Sequence, residues 1–435
     1  MKIRILTAAL LVAAAGHSAA ADLLTLYRDS LVTDSVYQSA RAQYSATVER
    51  LPQARSTYLP QAAVSANVFR NWVSRGGVPD VEFNTKSAAV TLSQPIFRLQ
   101  NWIAISQAEK QVLQAEAVLA SAQQDLALRL AQAYFDVLLA QDNVALSGSQ
   151  KTAISEQLAQ AKRNFEVGTA TIVDTLEAQA RYDQAVAKEI ADQADLEVKR
   201  RALVVLLGKI PDGLTPLREP LTLAEPTPAD IEEWVKAAAD SSYAIAIARA
   251  SYEIAQQEIG RQRAGYLPTL DFSASASHGI DPTRSAPGVS IVGNDASVGV
   301  TLSVPLFTGG LTQSRVREAV ALRDRASEDL ESQKRNVAQS VRASYLNVTA
   351  GISQVKALEQ ALVSTQSQLD STILGRDVGV RTSVDVLNAQ QQVFQTRRDL
   401  QQARYNYLLN TLRLKQATGQ LAEDDIAAVN RALAH

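Results

Sequence analysis

The sequence predicts an α+β protein made of two similar halves, each with one β-hairpin and one long helical hairpin. Three observations carry this. All 13 prolines lie between positions 52 and 305, and blocks 96–210 and 306–435 have none. Two stretches in each half alternate apolar and polar residues with a period of two. Motifs of the first half return in the same order in the second, which makes the chain an internal duplication.

Taken in order, residues 1–21 read as a signal peptide. Lys2 and Arg4 form a positive start, Ile5 to Ala15 an apolar stretch, and Ala19-Ala20-Ala21 a small-residue cleavage site. The first repeat, 22–210, opens with a helix and continues into a β-hairpin over about 62–96. There Val64, Ala66 and Val68 alternate with Ser65 and Asn67 before Phe69 and Trp72. Ala88, Val90 and Leu92 alternate with Ala89, Thr91 and Ser93, and Gly76-Gly77 supplies the turn. A helical hairpin over about 99–208 follows. Its block is rich in Ala, Gln, Leu, Glu and Arg, and excludes the residue that costs a helix interior about 3 kcal/mol. Val112, Leu119, Leu126 and Ala133 recur every seven residues, while Glu116 and Gln123 keep the seam from being a clean two-stranded zipper.

Residues 211–229, with five prolines from Pro211 to Pro228, read as a linker. The second repeat, 230–420, restates the first. Tyr58-Leu59-Pro60 returns as Tyr266-Leu267-Pro268, and Gln94-Pro95-Ile96-Phe97 as Val304-Pro305-Leu306-Phe307. Its β-hairpin, about 269–307, alternates Leu270, Phe272, Ala274 and Ala276 with Asp271, Ser273, Ser275 and Ser277. Its other strand alternates Val298, Val300, Leu302 and Val304 with Ser297, Gly299, Thr301 and Ser303. An outer loop is predicted from Gly279 to Gly293, and His278 at its edge is read with it as solvated. The helical hairpin over about 311–418 carries Val341, Val348, Val355, Leu362 and Leu369 at heptad spacing, and 421–435 closes the chain.

Composition narrows the function. Of 435 residues, 46% are hydrophobic and 20% charged, enough for a large core, and the net charge of −2 supplies no field for nucleic acid. Loss of Lys2 and Arg4 with the leader takes the charge to about −4. There is no cysteine, and the three histidines are His17, His278 and His435, so thiol nucleophiles, Cys/His metal sites and most histidine base chemistry lack their residues. No enzyme activity, cofactor or metal site is expected. No helix-forming stretch approaches the roughly 20 apolar residues of a membrane span, so a bilayer would be met through strands. The predicted strands, about 10 residues long, suit a tilted crossing, and nothing else in the chain is available to cover their apolar face. In lipid an open sheet edge is costly, and four strands cannot close a barrel, so an oligomer is required whose size the arithmetic leaves open. Residues 99–166 as one helix span about 100 Å, far beyond a bilayer, and must reach into water.

Three segments resemble the TolC family of outer-membrane channel proteins. They are Val167-Gly168 through Asp174 with Ala178-Gln179-Ala180-Arg181-Tyr182-Asp183, Val378-Gly379-Val380-Arg381-Thr382-Ser383-Val384-Asp385-Val386-Leu387, and Ala403-Arg404-Tyr405-Asn406-Tyr407-Leu408-Leu409-Asn410. The resemblance runs along nearly the whole mature chain. It implies a homotrimer in the outer membrane of a Gram-negative bacterium, with a 12-stranded barrel continuous with a long periplasmic α-helical coiled-coil barrel. It also implies equatorial helices at 214–232 and 421–434. The function implied is the exit duct of tripartite drug-efflux pumps and type I secretion systems. The partners implied are outer-membrane lipid, a periplasmic adaptor protein and an inner-membrane transporter of RND, MFS or ABC type.

The helical hairpins turn at Gly168 and Gly379, each followed by the capping-box spacing Thr171-x-x-Asp174 or Thr382-x-x-Asp385. Read locally, the two aspartates start helices. By resemblance Asp385 also forms a charged ring at a periplasmic gate, with Asn388 at a second ring where the usual residue is Asp, so cation block is weak. The resemblance further implies links between the hairpins: an Asp174–Arg381 ion pair, and a Val173–Arg376 pairing where hydroxyls are usual. It leaves the turns Val167-Gly168-Thr169 and Val378-Gly379-Val380 as adaptor docks. The competing reading is a soluble periplasmic helical scaffold or binding protein, which the helical blocks alone do not separate from a duct.

Overall fold

The computed structural model describes residues 21–211, 213–280 and 291–433. The first twenty residues of the predicted leader, positions 281–290 of the predicted outer loop, and His17 and His435 lie outside these. The chain divides into two units: one of the N-terminal stretch to Gln38, Gln123–Lys236 and Ser340 onward, the other of Ser39–Ala122 and Ala237–Gln339.

The second unit carries the sheet. Strands β1 (Gln61–Arg75), β2 (Val78–Phe97), β3 (Thr269–Ile280) and β4 (Val292–Ser303) pair antiparallel in the order β1-β2-β3-β4. They are 15, 20, 12 and 12 residues long, longer than the alternation alone suggested. The register lines up one apolar face in cross-strand rows, among them Ala62–Leu92–Ala274–Val298 and Val64–Val90–Ala276–Ala296. The adjacent rows, such as Ala63–Thr91–Ser275–Ser297, are polar, and the Ser275 and Ser297 hydroxyls meet at 2.8 Å. Val64, Val68, Val298 and Leu302 are exposed, so none of the described residues covers the apolar face there. The register slips between Pro95 and Phe97, where proline has no N–H to give the ladder. His278 is a strand residue rather than a loop residue: it pairs with Asn294 and its Nδ1 lies 2.6 Å from Asn294 Oδ1. The period of two simply continues past Gly279, which pairs with Gly293.

Helix α1 (Leu23–Thr33) precedes this unit. Helices α2 (Ser35–Val48) and α3 (Arg50–Ser56) lead into the sheet, and α4 (Leu99–Glu166) leaves it. Helices α6 (Ile231–Ser241) and α7 (Tyr243–Arg263) lead to β3. Within the unit, α7 meets α4 through a polar seam. Gln107 donates to Glu258 at 2.9 Å, Gln114 to Ser251 at 2.6 Å, and Lys110 pairs with Glu253 at 2.7 Å. Here the heptad residues Val112 and Leu119 are only half-buried.

The first unit is helical. Besides the rest of α4 it holds α5 (Ile172–Leu207), most of α8 (Leu311–Asp377), α9 (Ser383–Ala417) and α10 (Glu423–Asn430). Val341, Val348 and Val355 of the heptad stripe are buried. Val355 packs with Leu400 and Ala403, and Leu369 with Val386, Ala389 and Val393, with Leu362 touching both groups. On α4 the stripe gives way to burial on several sides, with Leu126, Leu130, Tyr134 and Phe135 all enclosed.

The predicted helix at 214–232 is not formed. Residues 213–230 run without a helix until α6, because prolines at 216, 220, 226 and 228 remove donors and clash with a helical path. The segment is instead strapped to the helices. Leu214 bridges to Ala21 and Leu217 to Leu433; Tyr134 donates to Thr215 O at 2.8 Å, and Ala224 N donates to Tyr407 Oη at 2.8 Å. At the C-terminus only Glu423–Asn430 is helical, since Leu433 belongs to the bridge with Leu217.

The hairpin ends and the gate residues

Helix α4 ends at Glu166 and α5 starts at Ile172; α8 ends at Asp377 and α9 starts at Ser383. The two turns share one construction. Gly168 (φ 78°) and Gly379 (φ 83°) take the left-handed conformation, which other residues adopt only with strain. The carbonyls freed at the helix ends accept from the turn: Thr169 and Ala170 donate to Asn164 O, Val380 and Arg381 to Gly375 O. These bonds consume backbone groups and leave the side chains outside. Val167 is 72% exposed, Val378 66% and Val380 76%. Apolar tips in water are the chief anomaly of this end of the molecule.

Immediately after each turn the predicted capping boxes form. Asp174 accepts from Thr171 N at 2.9 Å and Thr171 Oγ1 at 2.8 Å, and Thr171 Oγ1 accepts from Asp174 N at 3.3 Å. Asp385 does the same with Thr382, at 2.9, 3.0 and 3.1 Å. Hydrogen bonds from the Thr382 backbone and side chain, helped by the Arg381 charge, hold the Asp385 carboxyl below the usual range. It is therefore a fixed negative charge at neutral pH.

The expected links between hairpins are not made within the chain. No ion pair joins Asp174 to Arg381: the Asp174 carboxylate is engaged by Thr171, and Arg381 lies beside Asp385. Arg376 does not pair with Val173, which offers no polar side-chain group and is exposed; it bonds Asp377 at 2.7 Å and reaches Gln160 at 3.5 Å. Other residues join the hairpins instead. Arg181 of α5 donates to Asn388 Oδ1 and Gln391 Oε1 of α9, both at 3.1 Å, and Gln157 of α4 donates to Gln390 at 2.7 Å. Beneath them Ile154, Ala185 and Leu387 pack as one cluster. Sequence reading gave Arg181 no role, although Asp174, Glu177 and Arg181 lie along one face of α5 and Asn388 and Gln391 are one turn apart on α9. Asp385, Asn388 and Arg381 line one polar groove on the α8–α9 hairpin with Gln368 and Gln392.

The pattern of the outer membrane efflux protein family matches this chain twice, over residues 26–209 and 234–420. The chain belongs to the outer membrane efflux protein family. It is 35% identical to outer membrane protein TolC of Vibrio cholerae over 415 residues, covering 95% of this chain and 94% of that one. It is 30% identical to the alkaline protease secretion protein AprF of Pseudomonas aeruginosa, covering 94% and 86%. A solved membrane protein of Pseudomonas aeruginosa shares the fold at a TM-score of 0.80 with 20% identity, covering 93% and 91%. As a family member the chain is an outer-membrane protein with a periplasmic extension, an exit duct for efflux and type I secretion. TolC-type efflux channels are homotrimers that work with an adaptor and an inner-membrane pump. Membership does not favour the soluble-scaffold alternative.

Proposed function

We propose that three copies of this chain form a passive duct gated at the ends of the α8–α9 hairpins, with Asp385 as its one charged ring and Asn388 as a neutral second ring. The carrying observation is that Asp385 lines an open polar groove and is fixed there by its cap, whose hydrogen bonds favour the charged carboxylate. Threefold repetition of such a carboxylate around an axis favours cations. The Asp174–Arg381 link, absent within the chain, is assigned to the contact between copies. The exposed turns Val167-Gly168-Thr169 and Val378-Gly379-Val380 are the adaptor dock, since three pairs of apolar tips need a cover in water. The adaptor joins the duct to an inner-membrane transporter of RND, MFS or ABC type. The apolar sheet face meets outer-membrane lipid. The duct performs no chemistry of its own and does not bind nucleic acid.

The test is single-channel conductance in a planar bilayer under divalent cations. Wild type should pass a small, cation-preferring current. Arg381→Ala should enlarge it, and Asp385→Ala should remove both the preference and the residual block. Conduction indifferent to both substitutions would leave the aspartates as helix caps alone.

A further inference from the structure

We propose that Arg181 sets the ionic selectivity of the gate, by clasping Asn388 and bringing a fixed positive charge to the ring position beside Asp385. This rests on the reading that the constriction lies at Asp385 and Asn388.

The geometry is specific. The guanidinium is a planar fork, and two of its nitrogens are engaged by two acceptors one helical turn apart on α9, Asn388 Oδ1 and Gln391 Oε1, each at 3.1 Å. Glu177, one turn earlier on α5, holds the same guanidinium from behind at 3.8 Å. The Asn388 amide oxygen thus already faces a cation. Arg381 lies beside Asp385, and Arg181 is bonded to the side chain one turn further along α9, so two positive charges stand near the one acid of the ring. Replacing the second aspartate by asparagine removes one charge; Arg181 goes further and offsets the one that remains.

The experiment compares purified full-length trimers in planar bilayers, each variant first checked as a heat-resistant trimer. The readouts are reversal potential in a salt gradient and block by a trivalent cation. Arg181→Gln should raise cation-over-anion permeability several-fold, while Arg181→Lys, which keeps the charge, should stay near wild type. Asn388→Asp alone should change block by no more than about twofold, because Arg181 neutralises the new carboxylate. The double variant Arg181→Gln/Asn388→Asp should tighten block at least about tenfold, more than the two singles combined. The proposal is overturned if Asn388→Asp alone tightens block as strongly as the double. It is also overturned if Arg181→Gln leaves selectivity unchanged in channels that Asp385→Ala still alters. If conducting trimers ignore Asp385→Ala as well, the constriction lies elsewhere and the reading of the gate falls with the clasp.

Discussion

Asp385 illustrates how one side chain serves a local and a global purpose. Its cap to Thr382 starts α9, and the same hydrogen bonds keep the carboxyl ionised. Because the folded value is depressed, the ionised ring persists at ordinary carboxylate pH and is lost only as pH falls below that range. Thr382→Ala removes the hydroxyl's bond to the charged form, so cation preference should vanish at higher pH than in wild type; reversal potentials measured across acid pH check this. Glu258 makes a second acid-side case. Burial pushes its carboxyl up, but hydrogen bonds from Arg261, Gln107 and Gln262 outweigh burial and hold it at about 2, against 4.5 for an ordinary glutamate. A depressed value contributes stability above the ordinary pKa that is lost on acidification, here between about 4.5 and about 2. Glu258→Gln should flatten thermal stability over that window. Residues of this kind were partly legible: the capping spacing pointed to Asp174 and Asp385, whereas Arg181 acquires meaning only when α9 lies beside α5.

At the scale of elements, the α8–α9 hairpin separates stability from docking. Leu400 is enclosed by Val355 and Ala403, so Leu400→Ala should cost about 2–4 kcal/mol and lower the unfolding temperature. Val378→Asp, at an exposed tip, should leave stability within about 0.5 kcal/mol while abolishing capture of the adaptor in a cross-linking assay. The strap of residues 213–230 forms the linker that its prolines predicted rather than the helix that the resemblance implied. Its prolines exclude helix, and its backbone groups find partners in Tyr134, Tyr407 and Trp234, whose Nε1 donates to Pro228 O at 2.8 Å. Tyr134 and Tyr407 come from distant parts of the chain and leave no local pattern.

For the whole molecule, the sheet decides the assembly. Strands β1 and β4 are the edges of a four-stranded sheet whose apolar face is uncovered among the described residues. On the proposed reading lipid would cover that face but not the edges, which need further copies. Val300→Arg, on the exposed apolar face, should therefore cost about 2–4 kcal/mol if placed near mid-bilayer, whereas Ser275→Arg on the polar face should cost far less. The yield of heat-resistant trimers in the outer-membrane fraction distinguishes the two.

The sequence by itself determined the duplicated α+β architecture, the four alternating strands, the helical hairpins and the capped aspartates after their glycine turns. These depend on periodicity and on the intrinsic limits of proline and glycine, which act over a few residues. Tertiary structure decided the rest: the extended strap, the strand role of His278 and the bonds of Arg181 to Asn388 and Gln391 between the hairpins. Each of these depends on which side chains meet across elements far apart in sequence, where a single hydrogen bond of 3 Å chooses among partners that composition and spacing leave equivalent.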